Sequence, residues 1–185
     1  LIMIDTQRMT LRGWRLDDLD PLSAIDGDPE VMRFIGDGSV RTRDQTAAAI
    51  SSMTRAWSDH GFGIFAVELR ATRELAGWVG LAIPSFLPEV LPAVEIGWRL
   101  ARRFWGRGLA TEAAQEALSF GFEGVGLDEI ISICHIHNDA SVRIMTKLGM
   151  RPDRVTTTPS GQPVRVLAIN RSHWSDIGDV QDGQL

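Results

Sequence analysis

Arg103-Phe-Trp-Gly106-Arg-Gly108-Leu-Ala-Thr111 is the stretch on which the reading of this chain turns. Before it, Ala93 to Leu100 reads as a strand, with Val94, Ile96, Trp98 and Leu100 on one face and Glu95, Gly97 and Arg99 on the other. After it, Leu109, Ala110, Ala113, Ala114, Ala117, Leu118 and Phe122 keep the rhythm of an amphipathic helix, with Thr111, Glu112, Gln115 and Glu116 opposite. Two glycines at i and i+2 at a helix mouth let backbone N–H groups converge without Cβ obstruction, and the helix dipole adds partial positive charge. The stretch is therefore an anion cradle. Arg99, Arg102, Arg103 and Arg107 crowd it and can supply charge-assisted bonds to phosphate, and Thr111 can offer its hydroxyl. Neither the Walker A spacing nor Gly-x-Gly-x-x-Gly is present, which disfavours a nucleotide triphosphatase or a Rossmann-type reader.

Upstream, Gln7 to Leu16 reads as a strand running into an acidic turn, and Leu19, Leu22 and Ile25 recur at helical spacing. Asp28-Pro29 opens a second short helix, and Thr42-Arg-Asp-Gln45 has the capping-box spacing ahead of a helix that ends at His60-Gly61. Gly63 to Leu69 and Glu74 to Ile83 read as a hairpin, and Pro84 to Pro92 is a proline-rich loop. Downstream, Glu129 to Ile136 is a strand, Asn138 caps a helix closed by Gly149, and Val164 to Ile169 is a last strand before a polar tail at 171–185.

The 185 residues, 44% hydrophobic and 23% charged, suit one domain with a sizeable core. No apolar run approaches the roughly 18 residues of a membrane span, and a formal charge of −5 argues against general affinity for nucleic acid. The single cysteine, Cys134, excludes an intrachain disulfide and a multi-cysteine zinc site. It fits a reducing compartment, and the first residues lack the pattern of a signal peptide, so cytoplasmic residence is expected. Residues 17–30 carry Asp17, Asp18, Asp20, Asp26, Asp28 and Glu30 with no basic residue, a run that suggests a negative surface for a cationic partner or simply a solvated helix pair.

The pattern Arg103 to Gly108 resembles the acetyl-coenzyme A signature of the GCN5-related N-acetyltransferase (GNAT) superfamily. Thr10-Leu-Arg12, Asp28-Pro-Glu-Val-Met32, Glu95-Ile-Gly97-Trp98, Trp105 to Ala113, Asn138-x-x-Ser141 and Lys147-Leu-Gly-Met150 are similar to its ribosomal-protein N-terminal acetyltransferase (RimJ/RimL-like) branch. The resemblance covers about residues 7–170 and implies one α/β (α+β) domain over 1–185. Its mixed, mostly antiparallel sheet of about seven strands would be flanked by helices on both faces and splayed at the strand bearing Glu95. It implies acetyl-CoA as co-substrate and no metal. Pantetheine would bond backbone near Trp98 and Leu100, and the pyrophosphate would lie on Gly106, Arg107, Gly108, Leu109, Ala110 and Thr111 with help from Arg103. The partner is an amine acceptor, a protein N-terminus or a small amine, with no nucleic acid or membrane; a homodimer is compatible with it.

Acetyl transfer to an amine needs a neutral amine, a polarised thioester carbonyl and a proton for the departing thiolate. Glu95 sits mid-strand in an apolar run, where a carboxylate is costly unless paired or used; it is the candidate base, with an ion pair to an arginine as the structural alternative. Many superfamily members take the acid from a tyrosine, and this chain has none. Ser141 resembles the serine that ribosomal-type members offer to the coenzyme sulfur, the alternative being a helix-start hydroxyl bonded to backbone. Asn138 can cap its helix and contact pantetheine amides. His135 and His137 share a strand face without an evident third metal ligand, and Cys134 reads as packing. A non-catalytic, acyl-CoA-binding regulatory domain is the competing function.

Overall fold

The computed structural model describes residues 2–182, with side-chain surroundings for 2–178. Two short strands, β1 (Ile4–Asp5) and β2 (Met9–Arg12), precede three helices, α1 (Leu19–Asp26), α2 (Pro29–Met32) and α3 (Arg43–His60). Local chemistry accounts for the helix ends. The Asp28 carboxylate accepts from the Glu30 N–H at 3.0 Å with Pro29 at the first helical position. At α3, Thr42 Oγ1 accepts from the Gln45 N–H at 3.2 Å while Gln45 Oε1 accepts from the Thr42 N–H at 2.9 Å, and Gly61 closes the helix at φ 75°. Thr42→Ala removes half of that reciprocal cap and is expected to cost about 1 kcal/mol, read as a lower urea midpoint at unchanged m.

The hairpin follows as β3 (Ile64–Leu69) and β4 (Leu75–Ala82), then β5 (Glu95–Leu100), α4 (Leu109–Ser119), β6 (Glu129–His135), α5 (Asp139–Lys147), β7 (Arg151–Thr157), β8 (Pro163–Asn170) and α6 (Arg171–Asp182). The strands form one sheet in the order β1-β2-β3-β4-β5-β6-β8-β7. Every neighbouring pair is antiparallel except β5 and β6. The mixed sheet flanked by helices is thus as expected, with eight strands where about seven were anticipated. β1 has two residues, and β7 (Arg-Pro-Asp-Arg-Val-Thr-Thr) is an exposed edge strand without apolar alternation; neither carries a periodic signal. The polar segment after residue 170 folds as α6, whose Trp174 and Ile177 pack on the core; residues 183–185 of the expected tail lie outside the described residues.

The main core joins both ends of the sheet. Phe65, Val79, Leu81, Ile96, Ala113, Ala117, Phe122, Ile130 and Leu167 are among its buried members. After α4 the chain winds through a wider π-helical turn, Phe120–Val125, that sets Gly121 against both β4 and β6. A Cβ there would lie 2.7 Å from Ile130 Cδ1 and 3.1 Å from Leu81 Cδ1, so both side-chain ends would have to give way in a close-packed core. Leu87 of the proline-rich loop seals a second, smaller cluster with Ile131, Val164 and Val166.

Candidate active site

The parallel pair β5–β6 is joined at one register position, Glu95 with Ile131. The Ile131 N–H donates to the Val94 carbonyl at 3.0 Å, and the Ser132 hydroxyl then takes the Ile96 carbonyl at 2.8 Å. Beyond this the strands part. Because Val94 and Ile96 turn their carbonyls toward β6, the alternation of an extended strand turns the backbone of Trp98 and Leu100 the same way, into the opening. The Leu100 carbonyl is already engaged there by the Trp105 indole at 2.9 Å, so only its N–H remains available on that edge. Trp105 itself is 47% exposed. The opening is the mouth of a cleft of about 560 Å³, with Glu95, Trp98 and Arg99 on one wall and His135, Asn138 and Ser141 on another.

At the helix mouth Gly106 (φ 70°) and Gly108 (φ 74°) both adopt the left-handed conformation, Gly108 as the N-cap of α4. The space before Gly106 is open: a Cβ built there meets nothing within 4 Å. Leu109 is buried and Ala110 half-buried, which leaves their backbone rather than their side chains at the helix mouth; Thr111 lines a second hollow of about 410 Å³ shared with Gly108 and Lys147. The four arginines do not act together. Arg103 lies over the Phe104 ring at 4.5 Å and 3.4 Å from Glu74, and Arg107 makes no ion pair among the described residues, so these two stay at the loop. Arg102 leans to Asp28 at 3.4 Å. Arg99 is buried in the cleft against Asp26, which corrects its assignment to the phosphate loop.

A fifth arginine takes that place. Arg8 Nη1 donates to the Arg107 carbonyl at 2.8 Å, and its backbone N–H donates to Glu112 at 2.8 Å. Its Nε also bonds Glu112, at 2.6 Å, and the Thr6 hydroxyl adds a bond of 2.7 Å. Burial works against the Glu112 charge, but the bonds from Thr6 and Arg8 outweigh it and hold the carboxyl below the usual carboxylate range. A first-turn acid that would repel an anion is thereby tied off. Arg8 and Glu112 are 104 residues apart, and only closure of the sheet brings them together.

Glu95 and Ser141 both line the cleft. Among the described residues no arginine pairs with Glu95 and nothing hydrogen-bonds its carboxylate; desolvation alone pushes it up to about 8. Asn138 Oδ1 caps α5 by accepting from the Ser141 N–H at 3.2 Å, while among the described residues the Ser141 hydroxyl has no hydrogen-bond partner, and the residue lines the cleft. His135 stacks on Phe34 at 5.4 Å, and its Nδ1 accepts from the His137 N–H, which places its proton on Nε2. Among the described residues no three His, Cys, Asp or Glu side chains are grouped to hold a metal ion. Burial raises the Cys134 thiol to about 11, consistent with packing.

The acid run is largely spent internally. Asp18 and Asp26 are buried against Arg12 and Arg99, Asp20 pairs with Arg43, and Asp28 caps α2 and meets Arg102. Only Asp17 and Glu30 of the six are unpaired among the described residues, so the expected negative surface is mostly cancelled by arginines from distant segments.

A sheet splayed beside a glycine-rich helix mouth is the framework of an acyl-group transferase. Residues 8–151 match the acetyltransferase (GNAT) domain model, and the chain belongs to that family of enzymes. It is 26% identical to the uncharacterized N-acetyltransferase YoaA of Bacillus subtilis, over 83% of this chain and 85% of that protein. It is 34% identical to the FsC-acetyl coenzyme A-N(2)-transacetylase of Aspergillus fumigatus, over 81% of this chain and 68% of the other. The structure of a GNAT-family acetyltransferase from Bacillus anthracis superposes with a TM-score of 0.77 at 25% identity, covering 92% of this chain and 99% of that one. Among the described residues no helix is long and apolar enough to cross a membrane.

Proposed function

We propose that this chain is a single-domain, acetyl-CoA-dependent N-acetyltransferase of the ribosomal-type branch, acting by direct attack of an amine within a ternary complex. The observation that carries the reading is Glu95: a carboxyl without a hydrogen-bond or ion-pair partner among the described residues, at the one rung where the sheet begins to open, raised by burial to about 8 so that it gains and loses its proton just above neutral pH. Acetyl-CoA supplies an acetyl thioester with a thiolate as leaving group. The fit rests on three groups of this chain: the left-handed glycines Gly106 and Gly108 with open space before Gly106, the edge backbone of Trp98 with the Leu100 N–H, and the cleft between β5 and β6.

Residue roles follow from these positions. Backbone N–H groups of 106–111 and the side chains of Arg103, Arg107 and Thr111 hold pyrophosphate. Trp98, Leu100 and Asn138 orient pantetheine. Glu95 takes the proton of the ammonium, directly or through water, and the Ser141 hydroxyl donates to the departing sulfur. Resemblance to the RimJ/RimL-like motifs supports the branch, and the name of the Aspergillus relative supports the coenzyme.

Thiol release from acetyl-CoA with a panel of amines and N-terminal peptides tests the proposal. Turnover of at least one amine is expected; coenzyme binding with no turnover on any of them would leave the regulatory reading, which the missing tyrosine favours. Ser141→Ala is expected to lower kcat by about tenfold at unchanged coenzyme affinity in isothermal titration.

A further inference from the structure

At the Asp26 end of the cleft two guanidiniums meet one carboxylate, so that part of the positive charge there is unpaired. Arg99 projects from the same face of β5 as Glu95 and its side chain is 6% exposed. Its Nη1 bonds Asp26 at 2.7 Å, and among the described residues its Nε is buried without a partner and its Nη2 has no acceptor. The guanidinium lies 5.0 Å from the Trp78 ring. Asp26 is itself shared, accepting from the Thr46 hydroxyl at 3.0 Å and facing Arg41 Nη1 at 3.8 Å. One carboxylate thus serves two guanidiniums. The other acid facing the cleft, Glu95, stands four residues back along β5, roughly 13 Å at the rise of an extended strand. His135 on the opposite wall is occupied with Phe34 and His137.

We propose that the acceptor is an amine that also carries a carboxylate, an amino acid or a short peptide, whose carboxylate is bound by Arg99 and Arg41 while its amine faces Glu95. This deepens, and rests on, the acetyl-transfer reading. The Arg99 Nε is closed off, but its Nη2 and the Arg41 guanidinium beside it are left to a carboxylate entering the cleft, which would take charge-assisted bonds from both arginines. Arg41, exposed over 37% of its side chain, adds a second cation at the entrance to the same spot. A plain cationic amine finds no such match, because Asp26 is already bonded to Arg99 and Thr46. That roughly 13 Å along the strand, less a hydrogen bond at each end, is the scale of an amino acid or dipeptide with its side chain or backbone extended between the two groups.

The test compares alanine and alanylalanine with alaninamide and alanylalaninamide as acceptors, by thiol release from acetyl-CoA. At least one acid is expected to exceed its amide in kcat/KM by tenfold or more. Arg41→Gln should bring that ratio to within about threefold of unity. Arg99→Lys should do the same, since it keeps a charge opposite Asp26 and so preserves the fold but loses the fork. Equal use of acid and amide by the wild type would overturn the inference while leaving acetyl transfer standing. If no amine on the panel is acetylated, acetyl transfer to such amines fails and titration with N-acetylalanine and N-acetylalaninamide judges the carboxylate site alone. Preference for the acid that is lost in Arg41→Gln upholds the site; absence of preference overturns it.

Discussion

Glu95→Gln is expected to lower kcat at pH 7 by a factor of about 10²–10⁴, the range of a positioned general base, with coenzyme affinity unchanged. The loss should shrink toward high pH, where the amine arrives neutral and needs no base, so the wild-type and variant profiles converge on the alkaline side. In the wild type the acid limb of kcat/KM is expected to rise with pH through an apparent pKa near 8, set in the free protein by desolvation of the carboxylate. The same group leaves a mark on stability. Its folded pKa lies above the ordinary carboxylate value, so the folded state binds the proton more tightly, and stability is fullest in acid and falls as pH rises through about 8. Thermal melts of the free protein should show that decline between about pH 5 and 8 and lose much of it in Glu95→Gln. Parallel pH profiles of activity in the two proteins would return Glu95 to a structural role.

Gly106→Asp is expected to weaken coenzyme binding by at least about 100-fold in isothermal titration. A carboxylate about 5 Å from a phosphate charge costs about 3 kcal/mol at an effective dielectric of 20, and the added Cβ blocks the backbone approach. The two glycines differ in what a new side chain meets: a Cβ at Gly108 would lie 3.5 Å from Arg8 Nη2, whereas one at Gly106 meets nothing within 4 Å beyond its chain neighbours. Gly106→Asn separates the effects: it shares the shape and the tolerance of left-handed backbone without the charge, so it should retain an appreciable part of the affinity. Unchanged binding in Gly106→Asp would remove the phosphate-loop assignment.

What was legible in the sequence is what local chemistry writes there. Caps such as Asp28 and Thr42 and the alternation of β5 were readable because each signal spans a few neighbouring residues. The glycines of the helix mouth belong to the same class. The misses share a different cause. β7 owes its pairing to β8 rather than to its own pattern, and the Arg8–Glu112 clasp joins positions from opposite ends of the loop-bearing half. The acid run looked unopposed because its counter-charges lie elsewhere in the sequence, in Arg12 before it and Arg43 and Arg99 after it. Arg99 was misassigned for the same reason: proximity in sequence to Arg103 and Arg107 says nothing about strand face, and β5 turns it toward α1.

The junction between β5 and β6 also divides the molecule by how its parts open. A sheet linked through a single parallel rung is, in backbone terms, a five-stranded ribbon and a three-stranded one, held together by Phe122, Leu81 and Ile130 around Gly121 rather than by a ladder. Under native conditions two such ribbons are expected to exchange their amide hydrogens as separate cooperative units. The central β3–β4 amides should therefore be the last to exchange. Those of Trp98 and Leu100, facing the opening, should be among the first in the sheet, and a bound coenzyme would be read most directly as their slowing.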